Sequence, residues 1–354
     1  MISITNIRIS PRVGRIIIIS LLLTFQLTSW ANDETDCSIP ISLTKSRPDS
    51  DGPPTPIRVG IRLIDISDIN EVTQEFNVDF LIMVRWTDPR LSLESRGSSL
   101  DECAVHFSDI WHPFLDIVNQ REVTVHYDDL VEIDADGSVT YLQRYSGTLT
   151  SPLEIQRFPF DRQTLLIQIA SFSHGADEID LIIDESLTSQ RVGLAPVGWK
   201  IRDFRTELSF ESFTTTEISL VKFVHKVIVD RLPGYYIWNV FVPIVLIVFM
   251  AWTVFWIDPN RFDAQIALSS AAALTLIAFL LSTRQLLPRV EYLTRADIII
   301  LGSAVIVFFS LGEAVITSNM ANKGEELLAR ATDRWSRMVY AVLFAIIILV
   351  AVLF

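Results

Sequence analysis

Residues 235–257 read YYIWNVFVPIVLIVFMAWTVFWI, an uncharged run of 23 residues rich in Ile, Val, Phe and Trp. About 20 apolar residues are what a helix needs to cross the hydrocarbon layer of a bilayer. A helix also satisfies every backbone polar group there without water. Three further apolar runs follow at 264–283, 298–317 and 338–354. With their flanks they predict four membrane spans at about 235–257, 264–286, 296–319 and 336–354, within a domain covering 231–354.

Upstream the chain has another character. Half of its 354 residues are hydrophobic and its mean hydropathy is +0.37, but that average hides three parts. Residues 1–31 carry Arg8, Arg12 and Arg15, no acid, an apolar stretch from Ile16 to Phe25, and Ser29 and Ala31 at small-residue spacing. This is the pattern of a signal peptide. Residues 32–230 hold 34 Asp+Glu against 17 Lys+Arg, whereas 231–354 hold 8 against 9. An acidic, exported domain thus precedes a nearly neutral membrane domain. The acidity argues against a nucleic-acid partner and suits a surface that concentrates cations.

Residues 32–56 are polar and Pro-rich, ending DSDGPPTP, and read as an N-terminal arm. From 57 to 230 the pattern is that of strands. Ile57, Val59, Ile61 and Leu63 alternate with polar residues or glycine; Phe76 to Trp86 alternate over eleven residues; Val123, Val125 and Tyr127 and then Leu165, Ile167 and Ile169 repeat the period. Turn signals such as DADG (134–137) separate the runs. The expectation is an antiparallel, immunoglobulin-like β-sandwich followed by a four-helix transmembrane bundle.

The second apolar run contains no Trp or Tyr and is rich in small residues. Steps of four and three from Asp263 land on Ala267, Ala271, Leu274, Ala278 and Leu281, one stripe of a helix. Small residues on a span serve close helix packing or a pore wall, and the pattern alone leaves both open. Around a pore axis, Asp263 would give a ring of carboxylates favouring cations, and Leu274, Ala278 and Leu281 an apolar gate able to dewet. The two cysteines, Cys37 and Cys103, permit one disulfide, and their spacing leaves the pairing open. No His, Cys or acid cluster has metal spacing and no nucleophile motif appears, so neither cofactor nor enzyme chemistry is expected.

The chain resembles the pentameric ligand-gated ion channels of the Cys-loop receptor superfamily, most closely their bacterial members. Trp86-Thr87-Asp88-Pro89-Arg90-Leu91 resembles the family's W-x-D-x-R-L. Trp111-His112-Pro113, with Asn119 downstream, resembles its W-x-P segment. QRFPFDRQ (156–163) contains F-P-F-D-x-Q; Arg231, Tyr235, Tyr236 and Pro243 match the entry to the first span, and Asp333 to Arg337 the entry to the fourth. The resemblance implies a homopentameric channel in the bacterial inner membrane with its sandwich in the periplasm. It implies an agonist or protons as stimulus, and permeant monovalent cations and membrane lipids as further partners.

The departures from the family are specific. Animal members close the F-P-F-D loop with a disulfide, and the matching positions here are Ser151 and Leu165. Ligand-site candidates implied by the resemblance are Phe172, His174, Phe210, Phe213, Tyr141 and Arg144, too few aromatics for a tight amine box. Arg284 stands near where cation-conducting relatives often carry an acid. The resemblance also implies a coupling set. Phe158, Pro159 and Phe160 would rest on the 284–297 loop near Pro288 and Tyr292; Asp161 would face Arg231, with Glu71 as third member. The competing function is a non-conducting receptor or adhesin that binds through the sandwich, which would need no such stripe on the second span.

Overall fold

Every second side chain of the long strands is buried. In β2 (Glu75–Thr87), Phe76, Val78, Phe80, Ile82, Val84 and Trp86 enter the core while their neighbours stay at least partly exposed, as a period of two requires. The structure, a computed structural model, describes residues 37, 46–95, 100–212, 219–284 and 286–353. The chain divides into two units, Met1–Ser38 and Ile39–Phe354, and all elements below belong to the second. The expected signal peptide at 1–31 and Phe213 lie outside the described residues.

The remaining strands are β1 (Thr55–Asn70), β3 (Glu102–His106), β4 (Leu115–Ile117), β5 (Gln120–Val125), β6 (Leu130–Asp134), β7 (Ser138–Thr150), β8 (Arg162–Ser171), β9 (Ile179–Ile183), β10 (Ser189–Gln190), β11 (Trp199–Ser212) and β12 (Ser219–Arg231). One sheet runs β10-β1-β2-β7-β6-β3, with β5 also on β7 and β9 on β1; the other runs β11-β12-β8-β4. Pairing is antiparallel except that β1 meets β9 and β10 in parallel. Their inner faces share one core, in which Trp86 and Trp111 meet edge to face at 6.4 Å. The DADG signal is the β6–β7 turn. Gly137 sits there at φ +88, where a Cβ would come within 2.6 Å of the Asp88 carbonyl oxygen, so a side chain is excluded.

One sequence expectation changes here. Val123, Val125 and Tyr127 alternate, but only Val123 packs against the core; Val125 and Tyr127 are exposed. The segment is a short strand on β7, where β-branched residues are favoured without burial.

Among the described residues, four helices below the sandwich are long and apolar enough to cross a membrane: α1 (Gly234–Trp256), α2 (Phe262–Thr283), α3 (Arg295–Asn322) and α4 (Glu326–Leu353). α1 widens into a π turn at Ile237–Phe241, directly before Pro243. Proline has no N–H to donate to the preceding turn, and a π turn is a common way to absorb that loss. α3 and α4 exceed the expected spans because polar turns extend them. The stretch between the expected third and fourth spans, 320–335, reduces to a turn at 323–325, with Gly324 at φ +85. Hydropathy marks only the hydrocarbon-crossing part, whereas the Glu, Leu, Ala and Arg of 326–331 are good helix formers. Ile244, Val248, Phe255, Ala272, Leu276, Val307 and Tyr340 fill the bundle interior. Trp238, Leu246, Val305, Ile316 and Leu353 face outward. An apolar exterior of this extent belongs in a bilayer or against other subunits.

Candidate functional site

Sandwich and bundle meet at one buried cation. Arg231 ends β12, and its guanidinium Nε donates to Asp161 Oδ1 at 2.7 Å and Nη2 to Oδ2 at 3.1 Å. Glu71, in the β1–β2 turn, pairs with the same Nη2. The Arg231 side chain is 5% exposed and that of Asp161 1%. Trp199 covers the guanidinium face at 4.1 Å and Phe158 at 5.0 Å, a geometry in which a desolvated cation gains from the ring quadrupoles. Burial works against the Arg231 charge, but Asp161 and Glu71 outweigh it and hold its pKa above the ordinary arginine value. Gln163 completes the shell, donating to Asp161 Oδ2 at 2.6 Å and to the Glu154 carbonyl at 2.7 Å. The structure thus brings together Glu71, Phe158, Asp161 and Arg231. It adds Gln163, which the quoted motif contains, and Trp199, for which the sequence carries no signal.

The Phe158–Pro159–Phe160 tip divides its labour. Phe158 is buried with Ile155, Ala296, Leu287 and Val290 and meets Tyr236 edge-on at 4.7 Å. Phe160 is half exposed, so the two rings expected to rest on the 284–297 loop are not equally buried. The Phe158–Pro159 peptide is cis. The tip also does something the sequence does not reveal. The carbonyls of Gln156 and Phe158 accept from the backbone N–H groups of Arg295 (2.9 Å) and Ala296 (3.2 Å) at the start of α3. Those are orphan donors of a helix N-terminus; Thr294 and Asp297 form a capping box around them. Tyr292 Oη accepts from Ile155 N at 3.2 Å. Ser151, which the resemblance matches to a cysteine of the animal members' loop, is buried and donates to the Thr164 carbonyl at 2.8 Å. The buried Leu165 side chain fills the other.

On α2 the whole predicted stripe lies on one exposed face: Asp263, Ala267, Ala271, Leu274, Ala278 and Leu281. Leu274 and Leu281 are each 67% exposed. The opposite face is buried through Gln265, Ser269, Ala272, Ala273, Leu276 and Thr283. Gln265 anchors it, donating to the Ile257 carbonyl at 3.1 Å and accepting from Ser318 at 3.0 Å.

The pattern of the neurotransmitter-gated ion-channel ligand binding domain matches residues 43–231, more than half of the chain, and that of the neurotransmitter-gated ion-channel transmembrane region matches 240–327. The chain belongs to the neurotransmitter-gated ion-channel family. It is therefore a multi-pass membrane protein of a channel family and not of an enzyme family. A "proton-gated ion channel" of Gloeobacter violaceus (strain ATCC 29082 / PCC 7421) is 26% identical over 328 residues, covering 91% of this chain and 87% of that one.

Among the described residues, the ligand-loop candidates do not close into a single aromatic cage. Phe172 and Phe210 are exposed. Tyr141 is buried and its hydroxyl donates to Asp129 at 3.1 Å; Arg144 pairs with Asp79. His174 Nδ1 meets Glu178 at 2.7 Å and its ring lies 5.5 Å from Trp111. What the fold assembles is a column running from one candidate to another, Tyr141–Phe107–His112–Phe114–His174, with centroid steps of 4.3, 3.9, 3.9 and 5.8 Å. Burial lowers the His112 pKa below the ordinary value. Asn119 ties β7 to β8, donating to the carbonyls of Thr150 and Leu166. Asp88 and Arg90 pair locally at 2.8 Å. Neither Cys37 nor Cys103 is a free thiol.

Proposed function

We propose that the chain forms a homopentameric, cation-selective channel of the bacterial inner membrane, with its sandwich in the periplasm, opened by protons or a small ligand. The one-sided exposure of the Asp263–Leu281 stripe carries this reading. Large apolar side chains such as Leu274 and Leu281 need a partner other than water, and five copies around an axis supply one. The same face offers Asp263 as a carboxylate ring at one mouth and Leu274, Ala278 and Leu281 as a constriction that empties of water when narrow. Ala267 and Ala271 keep the lumen open between them. The proton-gated relative supports protons as the stimulus.

Transmission runs through the Arg231 junction. Arg231 links the β1–β2 turn, the 158–163 loop and the end of β12 immediately before α1, and the loop caps α3 directly. A buried ion pair carries a desolvation cost that offsets much of its attraction, so it suits the setting of a balance between two arrangements better than the addition of stability. Recording purified protein in planar bilayers while pH is lowered tests the proposal. Acid-evoked, cation-carried current is expected; a silent, correctly assembled protein would favour a receptor or adhesin that only binds.

A further inference from the structure

The core-facing side of β12 is apolar except at one position. Val221, Phe223, Val227 and Val229 lie in the sandwich core, and His225 stands between them in the same register. Its neighbours across the sheet are Ile167 of β8 and Thr206 of β11. Ile167 is core, and Thr206 lies between Phe204 and Leu208, which pack against the core. The His225 residue is 2% exposed, and its ring stacks on Phe204 with centroids 6.1 Å apart. Nδ1 lies 2.8 Å from Thr206 Oγ1, whereas the buried Nε2 has no hydrogen-bond partner. An orphaned polar atom in such a place carries a desolvation cost that an apolar side chain would not.

No neighbouring charge relieves that cost when the ring is protonated. The charged side chains of the adjoining strands lie on the opposite face and are at least partly exposed. They are Arg162 on β8, Asp180 on β9, and the Glu207–Lys226 and Glu211–Lys222 pairs of β11 and β12 that flank the position. Among the described residues, the other buried charged groups of the sandwich are Arg47, Asp88, Asp161 and Arg231, and each already has polar partners. Burial is the sole cause acting on the proton affinity of His225.

An imidazolium carries N–H on both ring nitrogens, so charging His225 in place leaves a charged donor unpaired in an apolar core. An arrangement of the sheet that lets water reach Nε2 binds the proton with the affinity of an ordinary histidine. A ligand that binds one of two arrangements more tightly shifts the balance toward it, and here the ligand is one proton taken from water by each subunit. β12 lies between β11 and β8. It ends at Arg231, about 20 Å further along the strand, immediately before α1. We propose that His225 is the binding site of the activating proton: its protonation favours an arrangement in which β12 loosens from the sandwich core, and the strand carries that change to Arg231. This rests on the proton-gated reading and names the residue at which the proton acts. The proton site itself does not require that the protein conduct.

Full-length protein in liposomes tests it, as wild type, His225→Gln and His225→Phe. Amide hydrogen exchange, corrected for its intrinsic pH dependence, compares β12 with β2 near neutrality and at about pH 4.5, inside the window that burial sets. In wild type, acid should lower the protection of β12 more than that of β2; in both variants the two strands should change alike. Acid-evoked current should vanish in the variants at normal surface density, or need about tenfold more protons or greater. Wild-type β12 protection unchanged in acid, a reading that needs no variant, would overturn the proton site. So would half-activation unmoved in both variants. An acid-evoked loss of β12 protection that both variants abolish, in protein that passes no current, would uphold the proton site and count against the channel reading alone.

Discussion

The junction around Arg231 and the loop region around Phe172 are built on opposite plans. At the junction every polar atom named has a partner, the charges are buried, and two rings close over the cation. At the loops Phe172 and Phe210 stand in the open, Tyr141 is tied to Asp129 and Arg144 to Asp79. A site complete within one chain must satisfy its own burial costs, so its residues fix one another. A site shared between chains leaves its half exposed. The same contrast divides α2, whose Gln265 face is closed by hydrogen bonds while its Leu274 face is bare.

The sharpest way to break the comparison is Arg231→Gln. It leaves the buried Asp161 and the half-buried Glu71 without their cation, a loss of order 3–5 kcal/mol. Activation should vanish, or shift far, in protein that still reaches the membrane as assembled channel. Voltage clamp paired with surface labelling measures both, and unchanged currents at normal surface density would remove the junction from gating.

Acid gives the next largest effect, within the sandwich. His225 on β12 is buried, its Nδ1 2.8 Å from Thr206 Oγ1, and burial alone pulls its pKa down to about 4. A histidine whose folded pKa lies below its unfolded value of ~6.5 favours the fold above that pH and costs stability as pH falls through the window from ~6.5 to about 4. At the lower end the cost is about 3 kcal/mol. Melting curves across that range should show His225→Gln with a shallower acid decline than wild type; parallel curves would argue that His225 charges without penalty.

Leu274→Ser comes third. A hydroxyl in an apolar constriction favours water there, and a change of about 1.4 kcal/mol in the gate equilibrium is a tenfold change in its open-to-closed ratio. Higher resting current or greater sensitivity to the stimulus is expected. The smallest effect is set by Phe172→Ala, which should alter melting by less than about 0.5 kcal/mol because the ring is exposed, while shifting activation if the loop meets a ligand.

Much of this was legible in the sequence because the determinants are local. Alternation over Phe76–Trp86 marks a buried strand whatever its partners, four apolar runs mark four spans, and FPFDRQ carries both the acid and the glutamine of the junction. What was not legible depends on the packing of distant segments. Trp199 joins Arg231 only through the β11–β12 pairing. The 158–163 loop caps α3 through backbone carbonyls, which no side chain encodes. Phe160, equal to Phe158 in the motif, stays half exposed while Phe158 is buried, a difference set by the segments packed around the tip. The polar turns of α4 escaped hydropathy.

The central claim is that the bare face of α2 is a cation pathway selected by Asp263. The most direct measurement is the reversal potential of the activated wild type in a tenfold salt gradient, repeated with Asp263→Asn. The account predicts that wild type reverses near the equilibrium potential of the monovalent cation and that Asp263→Asn moves toward zero. Reversal near the chloride potential, or a value unmoved by the substitution, would contradict it.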